Sequence, residues 1–182
     1  MTGECRLTYQ DWLACPDDGR LYELLEGELH ETPPPSIEHQ RLSRDLGYAL
    51  LTYLRAHGRG EVLYAPVGVK LGDDTVLEPD LVLVLGEHLE QIKTQAIEGA
   101  PDLVVEILSP GTARRDLGPK RQAYEQAGVT EYWIVDPEAH SIEVLVLRDS
   151  TYERAHVYGS EDRLLSPVLP GLEIDLSAIF RR

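Results

Sequence analysis

Hydrophobic and polar positions alternate along the chain with two clear periods. Leu42, Leu46, Ala49, Leu50, Tyr53 and Leu54 recur every three or four residues, which predicts a long amphipathic helix starting at Ser36 and stopping at His57-Gly58. Asp102 to Leu108 (DLVVEIL) and Glu131 to Val135 (EYWIV) are short apolar runs of the buried-strand type. Between them, Thr112 to Ala127 predicts a helix, irregular at Gly118-Pro119 and ended by Gly128. Upstream, Glu61 to Tyr64, Val67 to Leu71 and Leu77 to Leu85 read as strands, and Gly86 to Glu98 is polar and partly helical. Thr8 to Ala14 predicts a short helix with Thr8 as N-cap and Asp11 three residues on. Leu21 to Leu25 and Glu28 to Thr32 form a predicted hairpin around Glu26-Gly27. Ser141 to Leu147 and Tyr152 to Tyr158 form another, and Leu164 to Phe180 closes the chain in short pieces.

This order predicts an α/β (α+β) fold, a central mixed sheet flanked by helices, with the two hairpins extending the sheet. The breaks at Pro33-Pro34-Pro35, Gly72-Asp73-Asp74, Ser109-Pro110-Gly111 and Asp136-Pro137 have loop length, so residues 1–182 are expected to form a single domain. At 182 residues the chain can bury a sizeable core without disulfides, and Cys5 and Cys15 make neither a disulfide framework nor a four-ligand zinc site. No run spans a bilayer and no basic-apolar leader opens the sequence, so the expectation is a cytoplasmic protein without a membrane partner. Against 32 acids stand 17 Lys and Arg, a formal net charge of -15, which argues against a general nucleic-acid coat protein. An enzyme that meets DNA through a local basic patch and a bound cation stays compatible with that charge.

Two acids break the apolar pattern. In Leu103 to Leu108, Val104, Glu106 and Leu108 share one strand face, and an ionised carboxylate there is costly unless paired or metal-bound. It could instead reach solvent or pair with a helix arginine. Asp80 opens the run Leu81 to Val84 after Glu78-Pro79. Taken alone it reads as a strand-entry residue satisfied by backbone N–H groups, and so does Asp102. Together, Asp80 and Glu106 on neighbouring strands could supply oxygen ligands to Mg²⁺ (or Mn²⁺), which accepts one or two carboxylates plus waters and substrate phosphate oxygens. The Ile107 carbonyl could add to that set. From Arg114 to Glu125, four basic residues stand against Asp116 and Glu125. Asp116, Lys120 and Tyr124 lie four residues apart and form one stripe. Lys120 could orient water or stabilise negative charge on a phosphorane-like transition state; equally, Asp116–Lys120 could be a pair on a solvated face.

In this order these residues resemble the PD-(D/E)XK nuclease superfamily, and more closely its restriction endonuclease branch, the Uma family. The resemblance runs through YELLEGELHETPPPSIEHQRL, LEPDLVLV, PDLVVEILSPGTARRDLGPKRQAYEQAGVTEYWIVDP and LPGLEIDLSAIF, from about Thr8 to Phe180. It implies a restriction-endonuclease-like fold with Asp80 and Glu106 as metal ligands and a lysine completing the catalytic set. The superfamily lysine lies two residues after the second acid, where this chain has Leu108; the resemblance to Uma sequences points to Lys120 on the following helix. It also marks Glu38, followed by His39, as a possible accessory acid on the first core helix; first-turn dipole complementarity and capping would explain the two residues as well.

The function expected is a divalent-metal-dependent endonuclease-like phosphodiesterase hydrolysing DNA, with Asp80, Glu106 and Lys120 catalytic and a homodimer as its natural form. The alternative is a noncatalytic nuclease-fold module for binding or regulation, favoured by the net charge and Leu108. A metal-dependent hydrolase of small phosphate esters would use the same site. No dinucleotide, P-loop, nucleophile-elbow or zinc spacing occurs.

Overall fold

The computed structural model describes residues 6–16, 18–58 and 60–181. Cys5 lies outside the described residues, and Cys15 is a free thiol. The elements in chain order are α1 (Tyr9–Leu13), β1 (Leu21–Leu25), β2 (Glu28–Thr32), α2 (Ile37–His57), β3 (Gly60–Tyr64), β4 (Val69–Gly72), β5 (Thr75–Leu77) and β6 (Leu81–Leu85). A 3₁₀ turn (Gly86–Gln91) leads to β7 (Ile97–Glu98) and β8 (Leu103–Ile107). Then come α3 (Ala113–Arg115), a π-helical turn (Asp116–Lys120), α4 (Arg121–Ala127), β9 (Glu131–Asp136), β10 (Ser141–Arg148) and β11 (Thr151–Gly159). The chain finishes with β12 (Arg163–Leu165), β13 (Glu173–Asp175) and α5 (Leu176–Ile179).

The main sheet has six strands in the order β11-β10-β9-β8-β6-β3. Only β8 and β9 run parallel in it, joined through α3 and α4 as a parallel crossover requires. Leu42, Leu46, Leu50 and Leu54 of α2 pack on one face, against Leu81, Leu83, Val105, Ile107 and Trp133. The other face carries Val104, Tyr132, Ile134 and Leu145, covered by Tyr124 of α4. Strand alternation thus sends Val105 to α2 and Glu106 to α4.

Two expectations are corrected. The run Leu77 to Leu85 is two strands, β5 and β6, belonging to different sheets and separated by Glu78-Pro79-Asp80. The first hairpin does not extend the main sheet; β1 and β2 join a second, five-stranded sheet of order β2-β1-β5-β4-β7. Proline lacks a ladder N–H, so Pro79 ends pairing where the chain passes from one sheet to the other. The second hairpin, β10–β11, does extend the main sheet.

The C-terminal segment is fastened by one buried acid. Glu131, fully buried at the start of β9, accepts hydrogen bonds from Trp133 Nε1 at 2.5 Å, Ser166 Oγ at 2.9 Å and the Val168 amide at 2.8 Å. Glu131→Ala leaves three donors without their acceptor and is expected to cost about 2 kcal/mol in urea unfolding. An unchanged midpoint would show that these donors find water.

Candidate active site

The junction of the two sheets holds a cleft of about 1030 Å³, lined by β1, the start of α2, the Glu78–Asp80 crossing, the end of β8 and the first turns of the following helix. Leu81 pairs with Val105 across β6 and β8, so the register sets Asp80 opposite Glu106 one step further on. Both carboxylates line the cleft, as do Glu38, His39 and Lys120. The five residues picked from the sequence therefore come together, from four separate elements.

Lys120 is buried, which corrects the solvated-face alternative. Its Nζ lies 2.5 Å from Glu106 Oε1, 2.8 Å from Glu23 Oε1 and 3.4 Å from Asp116 Oδ1. Burial alone would depress this amine, but Glu106, Glu23 and Asp116 outweigh it and hold Lys120 well above the ordinary lysine range. It is an ammonium at neutral pH, a donor of hydrogen bonds and positive charge. The π-helical turn contains Pro119 and is anchored by Tyr132, whose hydroxyl donates to the Asp116 carbonyl at 3.0 Å. One turn on, Tyr124 donates its hydroxyl to Glu106 Oε1 at 2.7 Å. The Asp116–Lys120–Tyr124 stripe thus turns inward onto the β8 acid.

Glu106 is pushed well above the carboxylate range by burial, with Lys120 pulling it down and Asp116, Asp80 and Glu23 pushing it further up. Three carboxyl groups share one ammonium, more than it can neutralise if all are ionised, which is why burial favours a proton on Glu106. Asp80 Oδ2 accepts the Ile107 amide at 2.7 Å and lies 3.1 Å from His39 Nε2. The backbone N–H satisfaction considered for Asp80 is present, and it engages one oxygen. Asp102 is a strand-start residue, accepting from the Leu85 amide at 2.7 Å with His88 Nδ1 at 2.9 Å.

Glu23 is the residue missed in the sequence. It interrupts the apolar run LYELL as Glu106 interrupts LVVEIL, and that signal could have found it. Burial raises its carboxyl, yet Lys120 and the Glu78 amide at 2.9 Å bring it below the ordinary value. Its neighbour Glu78 is pushed up to about 7 by burial and by Glu23, partly offset by Lys120. A carboxyl raised in the fold contributes stability that is full below its ordinary pKa and is lost as pH rises through 7. Glu78→Gln is therefore expected to raise the melting temperature by a few degrees at about pH 8 and by nothing at about pH 4. Equal shifts at both pH values would refute this.

A hard cation needs carboxylate oxygens that are not already engaged. Oε1 of Glu106 is taken by Lys120 and Tyr124, and Oδ2 of Asp80 by His39 and the Ile107 amide. Asp80 Oδ1 and Glu106 Oε2 remain. No group of three or more His, Cys, Asp or Glu side chains is placed to hold a metal among the described residues. Two such oxygens are no protein cage; they could serve only a hard cation that takes the rest of its shell from waters and substrate, as Mg²⁺ and Mn²⁺ do.

The sequence profile of Uma2, described as "Putative restriction endonuclease", matches residues 8–177. The chain belongs to this family. A crystal structure described as "a putative nuclease belonging to DUF820" from Anabaena variabilis is similar to it with a TM-score of 0.80 and 18% sequence identity. That similarity covers 96% of this chain and 97% of the Anabaena chain, so the two share a restriction-endonuclease-like fold. No curated protein matches the sequence. No helix among the described residues is long and apolar enough to cross a membrane.

Proposed function

We propose that this Uma2 family member is a divalent-metal-dependent phosphodiesterase that hydrolyses DNA, with Asp80, Glu106 and Lys120 as its catalytic residues. The observation that carries the reading is the placement of Asp80, just before β6, beside Glu106 of the paired strand β8, with its Oδ2 on the Ile107 amide and the Lys120 ammonium 2.5 Å from Glu106. Asp80 and Glu106 would hold Mg²⁺ or Mn²⁺, which supplies Lewis acidity and charge neutralisation to a phosphodiester.

The chain's own groups have distinct parts. Lys120 is protonated, so it acts as a donor: turning from Asp116, its most distant partner at 3.4 Å, would free one N–H to orient the attacking water or hold a non-bridging phosphate oxygen as negative charge grows. It cannot serve as a base in that state. Glu23 and Asp116 position the ammonium, and Tyr124 fixes the Glu106 carboxylate by its hydrogen bond. His39 orients Asp80 through Nε2. Glu38 lines the same cleft and is a candidate for further contact with substrate or water.

The test is nicking of supercoiled plasmid and cleavage of single strands at low salt in Mg²⁺, Mn²⁺ or EDTA. Cation-dependent cleavage is expected, abolished by EDTA. No cleavage in either metal, together with no calorimetric Mn²⁺ binding, would reject the reading and leave a noncatalytic member of the fold. Turnover of small phosphodiesters without DNA cleavage would replace DNA as the substrate.

A further inference from the structure

The exposed side of α2 departs from the charge of the rest of the molecule. Ile37, Arg41, Arg44, Tyr48 and Arg55 are all exposed and recur at intervals of four, three, four and seven. At 100° per residue that spacing puts them in one narrow stripe, opposite the buried leucines. Three of the 17 Lys and Arg residues of a chain with net charge -15 thus lie on one helix face. Arg44 forks onto Asp45 at 2.7 and 2.9 Å, whereas Arg41 and Arg55 make no ion pair among the described residues. Tyr48 stands 68% exposed between Arg44 and Arg55, and Ile37, 72% exposed, heads the stripe before Arg41.

The stripe has a direction. Ser36, Glu38, His39 and Gln40, at the start of α2, line the acidic cleft, so the arginines lead away from its mouth. From Ile37 to Arg55 the helix runs about 27 Å, the axial length of roughly eight base pairs of duplex DNA. Arginine and tyrosine side chains are donors suited to phosphate oxygens, and the contacts need carry no sequence information. The acidic floor of the cleft repels a polyanion, so an attractive track beside it is what would bring the backbone to the carboxylates.

We propose that this face of α2, through Arg41, Arg44, Tyr48 and Arg55, is the surface along which a DNA backbone lies as it enters the cleft. The inference rests on the nuclease reading above and adds where the substrate docks. Charge complementarity selects the occupant: a second copy docked two-fold across this stripe would set an identical row of arginines against it, whereas a DNA backbone presents only phosphate charge.

The experiment compares the intact protein with Arg41→Ala/Arg44→Ala/Arg55→Ala and with a charge-matched control, Arg148→Ala/Arg154→Ala/Arg163→Ala. The control residues are exposed and sit in surface ion pairs on other elements. Binding of a fluorescein-labelled phosphorothioate duplex in Mg²⁺ is read by anisotropy across a salt series. The α2 variant is expected to bind on the order of tenfold to a hundredfold more weakly, with a salt slope shallower by about two to three. The control is expected to behave as wild type, and thermal melts of all three to coincide. Wild-type affinity and slope in the α2 variant would overturn the proposal while plasmid cleavage by wild type left the nuclease reading standing. A dimer that becomes monomeric in the α2 variant with DNA affinity retained would also overturn it, making the stripe an interface between copies. A wild type that neither binds nor cuts DNA would remove the nuclease reading, and this inference with it.

Discussion

Replacing Lys120 by methionine is expected to destabilise the protein by about 3–5 kcal/mol at about pH 8 and to eliminate plasmid cleavage. The size follows from what the ammonium leaves behind. Glu106, Glu23 and Asp116 are all buried, and each lies within 3.4 Å of Nζ. Methionine fills the volume but provides no charge and no donor, so three carboxylates lose their common partner. Their pKa values rise, and the folded state then binds protons that the unfolded state releases. The sign fixes the pH dependence: the variant's deficit is largest above the shifted carboxylate range and shrinks as pH falls toward about 4. The wild-type contribution of Lys120, held above the ordinary lysine value, is fully present below about 10.5 and is lost only as pH rises through the folded pKa. Urea unfolding of both proteins at two pH values reads this directly. A methionine variant as stable as wild type at the higher pH would show that the carboxylates were never held as ions by Lys120.

What the sequence disclosed, and what it hid, divides along physical lines. Strand alternation correctly set Glu106 on the face of Val104, and three-to-four spacing correctly gave α2 its buried leucines, because both are periods of a single element. Which sheet a strand joins is a long-range matter. The apolar stretch through Leu77 and on to Leu85 looks continuous, yet Pro79 divides it between two sheets, and that division creates the cleft. The sheet that the β1–β2 hairpin joins is long-range for the same reason, and it hides Glu23: in a hairpin at the edge of one sheet an acid is unremarkable, whereas at a junction of two sheets it faces the buried amine. Spacing alone put Asp116, Lys120 and Tyr124 on one stripe, but a stripe carries no statement of burial. The π-helical turn around Pro119 and the Tyr132 hydroxyl that anchors it decide that the stripe points inward. Leu108, at the place where the superfamily pattern has lysine, is half-buried against the cluster of Tyr124 and Val104 and also lines the cleft, so the following helix delivers the ammonium to Glu106 from across the strand.

Glu106→Gln separates chemistry from folding in the opposite way. Glutamine is nearly isosteric, keeps an acceptor for the Tyr124 hydroxyl and removes a carboxyl whose ionised form burial disfavours. Lys120 loses its nearest counter-charge but retains Glu23 at 2.8 Å and Asp116 at 3.4 Å. The expected stability change is therefore within about 1 kcal/mol of wild type, the loss of one ion pair offset by the relief of one buried charge. Plasmid cleavage is expected to fall by about 10²–10³ or more, because a neutral amide is a poor ligand for a hard cation and contributes no negative charge to hold it. Calorimetric titration with Mn²⁺ should lose its binding heat in the same variant. Nicking at the wild-type rate by Glu106→Gln would remove this residue from the mechanism. Loss of cleavage with an unchanged Mn²⁺ isotherm would keep Glu106 in catalysis but move the cation elsewhere. Set beside Lys120→Met, where stability and activity are expected to fall together, the glutamine variant isolates the part of the cluster whose charge serves the reaction rather than the fold.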